Sequence, residues 1–236
     1  MNNVTLLRID NLSKSFPQGK EDYFVLKKIN LSLCKKGMVL LSGKSGSGKS
    51  TLLNLIAGII SPTSGNIIYK EADVATFKAK DMNRYRNQEI GLVFQHYNLF
   101  EKQSVLFNVI LPLLIAGKGI SKAYEEGRLL LAHYQMSDFA DKEVEKLSGG
   151  EKQRVAVMRA IINNPAIVLA DEPTGALDRK NAEITLSMLK EISHSRLVII
   201  VSHDVELAMR FADRHIQLQD GFIKTDEYVK KDVATK

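Results

Sequence analysis

Gly43-Lys44-Ser45-Gly46-Ser47-Gly48-Lys49-Ser50-Thr51 is the stretch from which the rest of the chain is read. Its spacing, G-x-x-x-x-G-K-[ST], is that of a loop that holds the phosphates of a nucleotide. Three glycines let the chain turn tightly, with successive N–H groups facing inward and no Cβ in the way. Lys49 brings a point charge for the β- and γ-phosphates, and the Ser50 hydroxyl is placed to ligate Mg²⁺. An apolar run, Met38 to Leu41, precedes the loop, and Thr51 to Ala57 follows it with helical potential. Strand, loop and helix in that order set the phosphate at a helix N-terminus, where the dipole favours negative charge.

The 236 residues, 44% of them hydrophobic, suffice for one large domain or a domain with a lobe. Lys plus Arg exceeds Asp plus Glu by 33 − 27 = +6. The excess is spread along the chain and reads as a solvated surface rather than a nucleic-acid patch. Cys34 is the only cysteine, which excludes an internal disulfide and fits a reducing compartment. The N-terminus lacks the charged-then-apolar order of a signal peptide. The longest apolar stretch, Val105 to Ala116, is interrupted by Asn108 and Pro112 and falls short of the roughly 20 residues that span a bilayer. A chain soluble by itself is expected.

Upstream of the loop, Val4 to Leu12 and Val25 to Leu33 alternate apolar and polar and predict strands. Between them Ser13 to Asp22, with Pro17 and Gly19, predicts a turn or hairpin loop. Phe16 in that segment is either a half-buried loop aromatic or a ring that can stack on a purine. Downstream, Ser61-Pro-Thr-Ser-Gly65 is turn chemistry before a short strand, Asn66 to Tyr69. Asp81 to Asn87 predicts a short polar helix, and Ile90 to Phe94 a strand ending at Gln95. From Ser104 to Leu147 the period becomes helical, with one helix kinked or restarted near Pro112 and another over Tyr124 to Tyr134. This is an α-rich insertion in an α/β pattern.

Ser148-Gly149-Gly150-Glu151 is a capping box, with Ser148 as N-cap and Glu151 at N3 of a helix that stops before Pro165. The two glycines leave N–H groups open at its mouth; taken alone, the tetrapeptide reads as an ordinary capped helix. Ala166 to Ala170 predicts a buried strand with Asp171-Glu172 at its carboxyl end, the edge where open α/β sheets bind ligands. Asp171 suits Mg²⁺ through water, and Glu172 suits polarisation of a nucleophilic water. Arg179 to Ser195 predicts an amphipathic helix. Leu197 to Val201 predicts a strand that brings Ser202-His203-Asp204 to the same edge. A hairpin is expected over His215 to Ile223, and a frayed charged tail over Asp226 to Lys236.

Together, in this order, these motifs resemble the ATP-binding subunits of ABC transporters, over essentially the whole chain. Leu147 to Glu151 is similar to the family's signature sequence. Gln95, Asp171-Glu172, Gly175 to Asp178 and His203 match its Q-loop, Walker B, D-loop and switch histidine. Phe16 falls where the family places an adenine-stacking aromatic, usually tyrosine. Glu151 replaces the commoner Gln, and Gly175 the frequent Ser. The resemblance implies an α/β P-loop NTPase core with a RecA-like, mainly parallel sheet, an N-terminal antiparallel β-subdomain and an inserted α-helical subdomain. It divides the single domain 1–236 into a core with β-subdomain (1–95 and 157–236) and a helical signature subdomain (96–156). It implies a dimer with a second copy, sandwiching ATP between Gly43–Thr51 of one subunit and Ser148–Glu151 and Asp178 of the other. Ser50, Gln95 and Asp171 would serve Mg²⁺, and Glu172, His203 and Gln95 hydrolysis. Within the family, Asp171 to Asp178 and Val93 to Leu99 are most similar to the macrolide and lipoprotein exporters and peptide-antibiotic resistance transporters. That implies a peripheral place on the cytoplasmic side of the cell membrane, an integral membrane permease subunit as partner and no nucleic acid. A mechanical or signalling ATPase would share the same motor. Chromosome-structuring relatives would separate the motifs with long coiled coils, and no sustained heptads appear here.

Overall fold

The structure, a computed structural model, describes residues 4–19 and 21–229. It opens with two long antiparallel strands, β1 (Thr5–Gln18) and β2 (Glu21–Cys34). The loop expected over Ser13 to Asp22 is instead largely strand: Phe16, Pro17 and Gln18 pair with Tyr23, Asp22 and Glu21. Apolar alternation fails there because the inward positions are serines. The Ser13 hydroxyl accepts from the Lys28 N–H and the Ser15 N–H donates to the Thr63 hydroxyl, both at 3.0 Å, so both serines are buried with partners. Register shifts along β1 disturb the period further.

β3 (Gly37–Ser42) leads into the glycine-rich loop that starts at Gly43, and α1 (Lys49–Ile56) leaves it. β4 (Ser64–Tyr69) and β5 (Ala72–Asp73) complete a four-stranded antiparallel sheet in the order β2-β1-β4-β5. The polar helix expected near Asp81 is α2 (Ala79–Arg84), continued by a wider π turn over Tyr85–Glu89. β6 (Ile90–Val93) leads to the α-rich stretch expected over Ser104 to Leu147, which holds α3 (Val105–Ile115) and α4 (Ile120–His133); α5 (Gly149–Ile161) follows it. No restart occurs at Pro112: α3 is one helix with the proline inside it. The chain then alternates through β7 (Ile167–Asp171), α6 (Arg179–Ser193), β8 (Leu197–Val201), α7 (Val205–Met209) and β9 (Arg214–Gln219) to β10 (Phe222–Tyr228). Asp220-Gly221, both at positive φ, make the final hairpin as expected. Asp226 to Tyr228 belong to β10 rather than to a tail; residues 230–236 lie outside the described residues.

The second sheet has the order β10-β9-β3-β8-β7-β6, parallel except for β10. Its central strands are apolar on both faces, as a parallel sheet covered on both sides requires. Met38, Leu40, Val168, Ala170, Val198 and Ile200 face the core shared with the inserted helices. Val39, Leu41, Ile167, Leu169, Ile199 and Val201 face the other way, into a core shared with α1 and the antiparallel sheet. The carboxyl ends of β3, β8 and β7 lie side by side, which brings Gly43, His203 and Glu172 to one edge.

Asn108, which interrupts the longest apolar stretch, is fully buried in α3. Its carboxamide accepts from the Phe100 N–H at 2.8 Å and donates to the Phe100 and Ser104 carbonyls at 3.1 and 2.9 Å. Asn108→Leu strands those main-chain groups away from water. A loss of about 3 kcal/mol in unfolding free energy is expected from buried groups left without partners, read as a lower midpoint in urea denaturation.

Candidate nucleotide site

Between β3 and α1 the loop makes a close cradle. A Cβ at Gly43 would lie 2.3 Å from the Leu218 carbonyl oxygen, and one at Gly48 2.6 Å from a Leu26 methyl. Both residues also sit at positive φ, so only glycine fits. Gly48 is the N-cap of α1 and offers no side chain to its first turn, whose N–H groups therefore stay open to an anion. Lys49 is buried, its ammonium donating to the Gly43 and Lys44 carbonyls at 2.9 and 3.0 Å. The Ser47 hydroxyl is buried with no protein partner. Lys44, Ser45, Gly46 and Ser50 are exposed, and Thr51 is half-buried.

Beside the loop lies a cleft of about 440 Å³. Ser45, Gly46, Gly48, Lys49, Ser50 and Thr51 line one side, and Gln95, Asp171, Glu172 and His203 the other. Glu172 is buried at left-handed φ 51°, its N–H donating to the Val201 carbonyl at 3.0 Å. Such strain at a sheet edge is common where geometry serves chemistry. One carboxylate oxygen accepts from the His203 backbone N–H at 3.2 Å. The other stands 3.1 Å from His203 Nε2 without the alignment of a hydrogen bond. Burial pushes the Glu172 carboxyl above the ordinary carboxylate value, an effect that His203 and Lys49 oppose and Asp171 reinforces. Asp171 Oδ1 is buried with no partner.

Ser148 to Glu151 stand apart from this cleft, at the mouth of α5. The capping box is complete: Glu151 Oε2 accepts from the Ser148 N–H and hydroxyl, each at 2.7 Å, and the Ser148 oxygen accepts from the Glu151 N–H. Burial works to raise the Glu151 pKa, but these bonds to Ser148 outweigh it and hold the carboxyl low. Ser148 and Gly149 are exposed, so the helix mouth faces outward. Gly150 abuts α6, where a Cβ would lie 2.3 Å from Asn181 Oδ1. Asp178 is the N-cap of α6, and both its oxygens engage Asn181. The mouth of α5 and Asp178 thus form one neighbourhood, distinct from the Gly43–Thr51 cradle.

Phe16 lies on the β1–β2 hairpin, with Lys14 Nζ 5.0 Å from its ring centre. Its cross-strand partner Tyr23, together with Val25, lines the cleft. Neither was singled out from sequence; the pairing register that brings them to the loop is the signal, and it is visible only in the folded hairpin. A larger cavity, about 520 Å³, opens at the other end of β3 and β8. Two of its cations are already matched, Lys190 by Asp213 at 2.5 Å and Arg214 by Asp226 at 2.6 Å. Three buried side-chain oxygens without a hydrogen-bond partner, Ser47 Oγ, Asp171 Oδ1 and Glu172 Oε1, lie at the loop end instead.

Residues 26–175 match the family described as ABC transporter. The chain is 42% identical over 224 residues to the lipoprotein-releasing system ATP-binding protein LolD of Idiomarina loihiensis, covering 94% of this chain and 98% of that protein. It is 37% identical over 225 residues to the macrolide export ATP-binding/permease protein MacB of a Shewanella species, covering 95% of this chain and 35% of the larger protein. The dimeric ATP-binding cassette MJ0796, solved in a post-hydrolysis state with ADP and Pi, superimposes with a TM-score of 0.86 at 34% identity, over 96% of this chain and all of that one. With a glycine-rich cradle, an acidic strand end and a capped α5 on a matching fold, the chain belongs to the ABC transporter family as an ATP-hydrolysing cassette.

Proposed function

We propose that two copies of this chain sandwich two ATP molecules and drive a separate membrane subunit that exports a peptide, antibiotic or lipid-linked substrate. The observation that carries the reading is the outward-facing mouth of α5: a capped helix with open N–H groups, set away from its own phosphate cradle. Such a dipole has use for an anion only if another molecule presents one. The names of LolD and MacB support an export partner. Among the described residues no helix is long and apolar enough to cross a membrane, which suits a peripheral seat on a permease.

In this reading Phe16 and Tyr23 flank the adenine, and Gly43 to Thr51 wrap the phosphates. Buried Ser47 Oγ and Asp171 Oδ1, both without partners, fit a site completed by phosphate and a hydrated cation. Ser50, Gln95 and Asp171 would hold Mg²⁺, which when bound offsets charge on the phosphate oxygens. Glu172 takes up the proton of the attacking water, and His203 donates toward the γ-phosphate. Loss of the shared anion on hydrolysis parts the two copies. The division into a core (1–95 and 157–236) and a helical subdomain (96–156) gives the membrane partner a lever. A groove lined by Arg86, Leu92, Phe94, Asn98 and Pro112 flanks the loop after Gln95, so an element pressed into it bears on that loop.

Ser148→Arg tests the composite site. It blocks the helix mouth while leaving the cradle untouched, so ATPase activity should fall to background and ATP binding to the monomer should be unchanged by calorimetry. Full turnover by this variant rules out the sandwich.

A further inference from the structure

Arg159 sits ten residues into α5 from Gly149, on the same unbroken helix. Its guanidinium lies on the segment that follows Gln95. Nη2 donates to the Tyr97 carbonyl at 2.7 Å and Nη1 to the Asn98 carbonyl at 2.5 Å. Those two residues are consecutive left-handed positions, with φ of 57° and 50°. Asn visits that region at modest cost; an aromatic residue rarely does, and no glycine is provided. A rigid fork across two carbonyls is what holds such a pair in place, and an arginine fork matches it where a point charge does not. Burial draws the guanidinium below its ordinary value, so the group is kept in a partly dry site for two main-chain bonds. At its other end Tyr97 reaches the signature mouth: a Cβ at Gly149 would lie 3.2 Å from the Tyr97 hydroxyl.

We propose that Arg159 is a positioning residue for ATP hydrolysis: it fixes the Tyr97-Asn98 turn that aims Gln95 into the cleft, and ties that turn to the helix whose mouth meets the partner's nucleotide. Gln95 lines the cleft two residues before Tyr97, and the turn between them is tight, with the Tyr97 N–H donating to the Phe94 carbonyl and the Asn98 N–H to the His96 carbonyl. One helix therefore carries an open mouth at its start and a grip on the Gln95 loop near its end. A displacement of α5 by the second copy moves both. The proposal rests on the role given above to Gln95.

The experiment is a double-mutant cycle on the full chain, comparing the parent, Gln95→Ala, Arg159→Gln and the double variant by steady-state ATPase, fluorescent-nucleotide binding and thermal unfolding. Arg159→Gln should lower kcat by roughly 10- to 100-fold, the usual effect of losing a group that orients a metal or substrate ligand, with nucleotide Kd unchanged. In the Gln95→Ala background the same substitution should cost almost nothing more, since both act through one group. Arg159→Lys should remain impaired, because an ammonium on a flexible stem lacks the fixed spacing of the guanidinium nitrogens that holds the two carbonyls in one geometry, and it replaces Arg159→Gln in the cycle if that variant does not fold. Losses that multiply in full, or normal turnover by Arg159→Lys, overturn the proposal while leaving Gln95 its role. Full turnover by Gln95→Ala overturns the role of Gln95 and this proposal with it.

Discussion

Glu172→Gln should bind ATP as the parent protein does and hydrolyse it roughly 10²- to 10⁴-fold more slowly, the span attributed to a positioned general base. The amide keeps the shape of the carboxylate, and the backbone contacts that fix residue 172, its N–H on Val201 and its neighbour's strand pairing, are untouched. What disappears is the capacity to accept a proton. Folding should not suffer. Because burial raises the Glu172 pKa, the charged form is the one disfavoured by the fold; a neutral isostere removes a desolvation cost, and Tm should stay level or rise. The same shift sets the pH profile. The base works only when deprotonated, so kcat of the parent should rise with pH along a limb lying above the ordinary carboxylate range, and that limb should be absent from the residual rate of Glu172→Gln. With Mg-ATP the variant should accumulate as a dimer on size-exclusion chromatography. Near-parental turnover, or a monomer under those conditions, removes Glu172 from the role of base.

The cradle and the sheet edge were legible in the sequence because each is a local pattern. Gly43 to Thr51 follows a strand and opens a helix, and Asp171-Glu172 and His203 each end a continuous apolar run, so parallel-sheet logic alone brings them together. The capping box was legible for the same reason: Ser148 and Glu151 answer each other across one turn. The rest depends on pairing between distant segments. Ser13 and Ser15 are strand residues made inward-facing by Lys28 and Thr63, partners that no window around them contains. Tyr23 reaches the cleft through its register with Phe16. Arg159 looks like an ordinary charged residue of an amphipathic helix until the fold lays two left-handed carbonyls under it.

Lys49→Ala should weaken ATP binding by about 10- to 100-fold, following the roughly 1.5–3 kcal/mol that a charged hydrogen bond contributes, and abolish measurable turnover at ordinary ATP concentrations. The ammonium is 6% exposed and bonded only to main-chain oxygens of its own loop in the described structure. Those carbonyls are weak counterparts for a full positive charge beside phosphate oxygens. A triphosphate entering the cradle therefore competes for a cation already desolvated and already aimed, which raises the strength of the contact it gains. Alanine removes that charge and also frees the Gly43 and Lys44 carbonyls, so the loop itself should loosen, and hydrogen exchange over residues 43–48 should quicken in the absence of nucleotide. Lys49→Arg separates the two effects. It keeps the charge, but its larger planar group must fit a cradle where added atoms at Gly43 and Gly48 already meet neighbours within 2.6 Å. Binding by Lys49→Arg should thus fall well short of the parent's, and calorimetry on the two variants decides whether charge alone or charge at that point holds the phosphates. Unchanged affinity in Lys49→Ala contradicts the cradle as the phosphate site.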